Sequence, residues 1–219
     1  MIKKTLQFFV ALVLTTLGLQ AQPFKNEIEA FKKQDSIQMP PKKAILFTGS
    51  SSFRLWTDVQ EQFPGYNIIN RGFGGSTIPD VIRYANDIIF PYNPKQVVIY
   101  CGDNDLAARD KNITGDSVYN RFVTLFNIIR KKLPKTSIVY VAIKPSPSRA
   151  HLMPQAEDAN NKIKAFLAKK KRTGFVDIYH RMLNPDGTPV QTLFKEDNLH
   201  MNAQGYAIWK DAILPYLKK

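Results

Sequence analysis

Ala44-Ile-Leu-Phe47 is a short apolar run that feeds directly into Thr48-Gly49-Ser50-Ser51-Ser52. Four apolar residues bounded by turn formers read as a buried strand ending in a tight turn. The pattern recurs along the chain. Tyr66-Asn-Ile-Ile69, Gln96-Val-Val-Ile-Tyr-Cys101, Ser137-Ile-Val-Tyr-Val-Ala-Ile143 and Phe175-Val-Asp-Ile178 give four further strands. A polar amphipathic stretch at 24–33 precedes the first strand. Helical patterns at 54–63, 79–89, 117–133 and 155–171 lie between the strands, and another at 202–217 closes the chain. Pro64-Gly65, Pro134 and Gly174 stand where helices should stop, and Thr77 and Pro79 where one should start. Apolar strands alternating with helices require a parallel sheet covered on both faces. The expected class is therefore α/β, a three-layer α/β/α sandwich.

The bulk numbers agree. The chain has 219 residues, 44% hydrophobic and 22% charged, which excludes wholesale disorder and a coiled rod. No repeat or interdomain linker interrupts it, so residues 22–219 read as a single domain. Cys101 is the one cysteine, which rules out an intrachain disulfide and a Cys-based zinc cluster. No metal or cofactor is expected. The formal charge is +13, with basic runs at Arg130-Lys-Lys132 and Lys169-Lys-Lys-Arg172 near predicted helix ends. These runs carry no interleaved aromatic reading motif, so nucleic acid is not an expected partner.

Met1-Ile-Lys-Lys4 begins the chain, a mostly apolar stretch runs from Leu6 to Leu19, and Gln20-Ala21-Gln22 follows. A basic start, a short apolar core and a small residue at the cut form the layout of a secretory signal. Cleavage is placed after Ala21. The apolar core is short for a membrane-spanning helix. The mature chain is expected to be exported, periplasmic or extracellular, without stable membrane insertion.

In parallel α/β sheets, ligands bind beyond the carboxyl ends of the strands. The polar residues there form one chemical set. The first strand leads to Gly49-Ser-Ser-Ser52. The second leads to Asn70-Arg-Gly72-Phe-Gly74-Gly75-Ser76-Thr77, where closely spaced glycines let backbone N–H groups approach a ligand. The third leads to Gly102-Asp-Asn104-Asp105. Asp197-Asn-Leu-His200 precedes the last helix, its acid and imidazole spaced to share one side of a helical turn. A serine nucleophile needs a base, a carboxylate to orient that base, and donors for an oxyanion. These four loops offer a candidate for each role.

The four blocks resemble those of the SGNH, or GDSL-like, hydrolases, including members akin to platelet-activating-factor acetylhydrolases. Phe47-Thr-Gly-Ser-Ser-Ser-Phe53 matches the first block, with Ser51 in the nucleophile position. Asn70 to Thr77 matches the second, with Gly75 as oxyanion glycine. Gly102-Asp-Asn-Asp105 matches the third, with Asn104 as side-chain oxyanion donor, and Asp197-Asn-Leu-His200 supplies the triad acid and base. The family usually carries Asp before the serine, and here Ser50 stands in its place. The resemblance implies a flavodoxin-like five-stranded parallel sheet in the order 2-1-3-4-5. It also implies a serine esterase or acylhydrolase acting through an acyl-enzyme, with Ser51, Gly75 and Asn104 forming the oxyanion hole. The expected substrate is a small-molecule or glycan ester with a short acyl group such as acetyl.

Other polar and aromatic residues also lie near these loops. Asp177 is a second carboxylate able to orient a histidine, His151 and His180 read as surface or structural, and Cys101 as a buried thiol. Arg54 and Arg71 flank the site and are candidates to meet an anionic substrate group, while Trp56 and Trp209 read as core. A reading from another class is a non-catalytic secreted carbohydrate- or ligand-binding module on the same fold. It expects one of Ser51, Asn104, Asp197 or His200 to be missing, and all four are present. A flavodoxin-like cofactor protein is a third, distinguished by a copurifying cofactor.

Overall fold

The computed structural model describes residues 22–108, 110 and 112–219. The expected signal segment lies outside the described residues. Five strands, β1 (Ile45–Gly49), β2 (Ile68–Gly72), β3 (Gln96–Tyr100), β4 (Ser137–Val141) and β5 (Thr173–Val176), form one sheet in the order β2-β1-β3-β4-β5. All neighbours pair in parallel, with Gly49 opposite both Gly72 and Tyr100. The expected fold class and strand order are therefore observed.

Alternation along each strand divides the core into two layers. Leu46, Val97, Ile99, Ile138 and Tyr140 face one side. There they meet α1 (Lys25–Ile37), α4 (Ile78–Arg83), α5 (Ala85–Ile88), α7 (Gly115–Lys132) and α8 (Met153–Ala168). Ile45, Phe47, Val98, Tyr100, Val139 and Val141 face the other side. They meet α2 (Ser51–Arg54), α3 (Val59–Gln62) and α9 (Ala203–Ile213), with Trp56 and Trp209 both buried among aromatic neighbours. A further short helix, α6 (Asp103–Leu106), follows β3.

Several expected elements are altered by tertiary hydrogen bonds. The helix expected over 54–63 is two single turns, α2 and α3. The Asn70 amide donates to the Phe53 and Trp56 carbonyls, which a continuous helix would need for its own ladder. The helix expected over 79–89 breaks at Tyr84, whose hydroxyl donates to the Pro23 carbonyl and whose ring packs edge-on against Phe73. The last helix ends at Ile213 and tightens into a 3-10 turn at Leu214–Tyr216, with Pro215 in its first positions. Strands β2 and β5 are displaced by two or more residues from their expected starts.

At the end of β1, Gly49 adopts φ 131°, and a Cβ there would lie 1.9 Å from the Tyr100 carbonyl oxygen. That close approach lets Ser50 N–H bond the Tyr100 carbonyl and turns the chain into α2. Gly49→Ala combines backbone strain with a clash against main chain. It is expected to cost at least about 3 kcal/mol, read as a Tm fall of roughly 6–12 °C in thermal unfolding.

Candidate active site

The carboxyl ends of β1, β2 and β3 and the loop before α9 converge on one point. Ser50 precedes α2 in extended conformation and is buried, and its side chain makes no capping bond. Ser51 is thus the first residue of α2 and is half-buried. Its Oγ lies 3.0 Å from His200 Nε2. His200 Nδ1 lies 2.6 Å from Asp197 Oδ2. The Asp197–His200 segment is not the helical turn its spacing allows. Asp197 Oδ1 accepts the Leu199 and His200 N–H groups, each at 2.9 Å, and Asn198 takes φ 54°. This Asx turn fixes the carboxylate beneath the ring. Burial opposes ionisation of Asp197, but the bonds from the His200 ring, the His200 N–H and the Leu199 N–H outweigh it and hold its pKa at about 2.

Opposite this pair, Asn104 Nδ2 donates to the Ser76 carbonyl at 3.1 Å, and its Oδ1 accepts from Arg149 Nη2 at 3.1 Å. An amide nitrogen carries two hydrogens, so one remains unspent. Gly75 is exposed beside it: a Cβ on Gly75 would lie 4.0 Å from Asn104 Nδ2. Among the described residues, neither the Ser51 nor the Gly75 N–H donates to a protein acceptor. Three unspent donors therefore accompany the Ser51 hydroxyl, the arrangement that stabilises an oxyanion.

A buried scaffold supports these groups. Asp105 accepts from the Ile78 N–H and from Arg121, tying β3 to the start of α4. Its burial raises the carboxyl pKa, against the pull of those two donors. Asp103 pairs with Lys144 and Arg149 at 2.8 and 2.7 Å. Burial alone would raise its pKa, but the two cations hold it below the ordinary range. Ser76 Oγ donates to the Gly49 carbonyl, locking the second block to the first. The Ser148 N–H and hydroxyl both donate to the Asn198 carbonyl, so the loop after β4 braces the Asn104 side and the His200 side together.

Four residues are given no role by the sequence: Arg149, Lys144, Glu27 and Asp103, the last within the third block. Arg149 and Lys144 follow β4 on the edge that holds every other candidate, a position that could have drawn attention to them. Glu27 lies far upstream on α1 and accepts the Gly74 N–H at 3.0 Å, an interaction with no local signature.

The remaining candidates sit elsewhere. Asp177 pairs with His180 at 2.8 Å and not with His200. Arg71 is committed to α1, its Nη2 2.5 Å from Asp35 and its Nε bonded to the Tyr92 hydroxyl. Arg54 stands 3.8 Å from Glu27. Cys101 is buried, its thiol donating to the Ser76 carbonyl, and burial pushes its pKa well up. His151 is exposed and lines a cleft of about 630 Å³ together with Leu106, Ala107, Ile113, Arg149 and Gln155.

Residues 45–208 match the family model described as the GDSL-like Lipase/Acylhydrolase family. The chain belongs to this family of hydrolases. No curated protein sequence matches it. Among solved structures, it is similar to a GDSL-like lipase from Bacteroides thetaiotaomicron, with 21% identity, TM-score 0.71, and coverage of 85% of this chain and 94% of that one. It is similar to a lipase/acylhydrolase from Enterococcus faecalis, with 21% identity, TM-score 0.61, and coverage of 80% and 97%. An acetyl xylan esterase is similar at 20% identity, with TM-score 0.64 and coverage of 80% and 100%. At these identities the likenesses speak for the fold.

Proposed function

We propose that the protein is a serine carboxylic-ester hydrolase with Ser51 as nucleophile, His200 as base and Asp197 as the carboxylate that orients it. The observation that carries this reading is the unbroken relay from Ser51 Oγ through His200 to Asp197, at 3.0 and 2.6 Å. His200 Nε2 takes the Ser51 proton as Oγ attacks the acyl carbon. The Ser51 and Gly75 N–H groups and the Asn104 amide receive the negative charge on the carbonyl oxygen. His200 then protonates the leaving alcohol, and a water deprotonated by the same ring releases the acid.

A short acyl group, acetyl above all, carried on a carbohydrate is the proposed substrate. The cleft beside Arg149 mixes apolar walls with polar groups. In its wall, the exposed His151 and the Gln155 side chain offer polar groups suited to sugar hydroxyls. The similarity to an acetyl xylan esterase favours the same class. With residues 1–21 read as a signal, the enzyme meets its substrate outside the cytoplasm.

The test is labelling by a fluorophosphonate, read by peptide mass, beside acetate release from acetylated xylooligosaccharides. Label on the Ser51 peptide with acetate release supports the reading, and label on a different serine overturns it. Asn104→Ala removes one oxyanion donor and is expected to lower kcat for p-nitrophenyl acetate by about 10²–10³ with little change in KM. A wild-type kcat in that variant would remove Asn104 from the mechanism.

A further inference from the structure

The strands of a parallel sheet all begin at one edge, and here that edge gathers thirteen of the chain's 31 Lys and Arg. Lys42-Lys43 precede β1, Lys95 precedes β3, Arg130–Lys132 and Lys135 precede β4, and Lys169–Arg172 precede β5, while Lys218-Lys219 end the chain. These segments are physically joined. Lys95 N–H bonds the Ala44 carbonyl, Ser137 N–H the Lys95 carbonyl, and Ile138 N–H the Arg172 carbonyl. The Arg130 guanidinium reaches the Thr136, Lys171 and Arg172 carbonyls, and the Lys218 N–H bonds Gln96.

Thirteen Lys and Arg stand in these segments and no Asp or Glu does, so they alone equal the formal net charge of +13. All but Lys95 and Arg130 are exposed. Among the described residues, none of the thirteen is in an ion pair. Crowding is already felt at Arg130, where burial first and then the charge of Arg172 lower its pKa. Among the described residues, the exposed large apolar side chains flank these segments in sequence. Leu214 and Tyr216 precede Lys218, and Ile37 and Met39 lie between the end of α1 and Lys42. Asp35 ties that end of α1 to Tyr92, three residues before Lys95.

We propose that this edge of the sheet is a docking face for an anionic phospholipid bilayer. Cations alone would fit any polyanion. Cations flanked by exposed apolar side chains fit an interface that offers both negative headgroups and acyl chains. The contact is peripheral, since among the described residues no helix is long and apolar enough to cross a membrane. Docked this way, the Ser51–His200 end, at the opposite edge of the sheet, faces away from the lipid. The inference rests on this edge alone and does not depend on the proposed chemistry.

The test is sedimentation of the full chain, and of a chain starting at Gln22, with phosphatidylcholine vesicles containing or lacking phosphatidylglycerol, across a salt series. Binding is expected only to the anionic vesicles and is expected to weaken with salt. The combined variant K131E, K132E, K169E and K171E is expected to lose at least about tenfold in vesicle affinity. Its far-UV circular dichroism and melting transition should be unchanged, which reports that it is folded. The matching set of Lys→Gln changes serves if charge reversal impairs folding. Ile37→Ser with Leu214→Ser should weaken binding several-fold. Equal binding by the charge variants, or no binding to anionic vesicles, overturns the proposal. So does capture by heparin or DNA together with indifference to the Ile37 and Leu214 changes, which would mark a polymer-binding face.

Discussion

Ser51→Ala is expected to reduce kcat for p-nitrophenyl acetate by roughly 10⁶-fold, the scale on which loss of a serine nucleophile collapses catalysis. The expectation follows from the environment of the hydroxyl. Ser51 is the first residue of α2 and half-buried, and its Oγ bonds His200 Nε2. The flanking Ser50 and Ser52 are both buried at 2% exposure, so neither can take over the attack from its native position. Removing the hydroxyl disturbs no packing, so the melting temperature should stay near wild type while turnover vanishes. A variant retaining more than a thousandth of wild-type kcat would place the nucleophile elsewhere.

Asp197→Asn is expected to lower kcat by about 10⁴. The asparagine can keep the Asx turn by accepting the Leu199 and His200 N–H groups through Oδ1, as Asp197 does. Its NH₂ then faces His200 Nδ1 where a carboxylate oxygen stood at 2.6 Å. Two donors cannot share that line, so the ring moves its proton to Nε2 and loses the lone pair that should receive the Ser51 proton. KM should hardly move. A second readout comes from stability. The Asp197 pKa is lowered from 3.8 to about 2, so its ionised form contributes stability above about pH 4 that is lost as pH falls through 2. The Asn variant lacks this term, and its stability should fall less steeply across that window. A kcat within tenfold of wild type would free His200 from dependence on Asp197, and Asp177 could not replace it, being bonded to His180.

The strands were legible because a sheet buried on both faces must be written as uninterrupted apolar runs, and Val97 to Tyr100 is such a run. Their ends were less so. The expected strand at 66–69 starts late because the Gln60 side chain holds the Tyr66 carbonyl and the Ile68 N–H. The expected helix at 54–63 is broken for a similar reason, since Asn70, in a neighbouring strand, takes its carbonyls. The structure brings Ser51, Asn104, Gly75, Asp197 and His200 together, and each was visible as a polar residue after a strand or before a helix. Roles for them came from the resemblance of four blocks. The contacts of Arg149 with Asn104, Glu27 with Gly74 and Lys144 with Asp103 are not legible in the sequence, because a charge meeting its partner 40 or more residues away leaves no periodicity to read.

The pairing of Ser51 with His200 spans 149 residues of sequence. A ribosome delivers Ser51 well before His200. Every nascent, truncated or carboxyl-clipped form that ends before His200 therefore carries the hydroxyl without its acceptor. With Ser51 and His200 in their proposed roles, the span builds latency into the order of synthesis: such intermediates are expected to be inert toward esters. Under that reading, ester turnover by a preparation of this protein should report the fraction of chains that extend past His200 and are correctly closed.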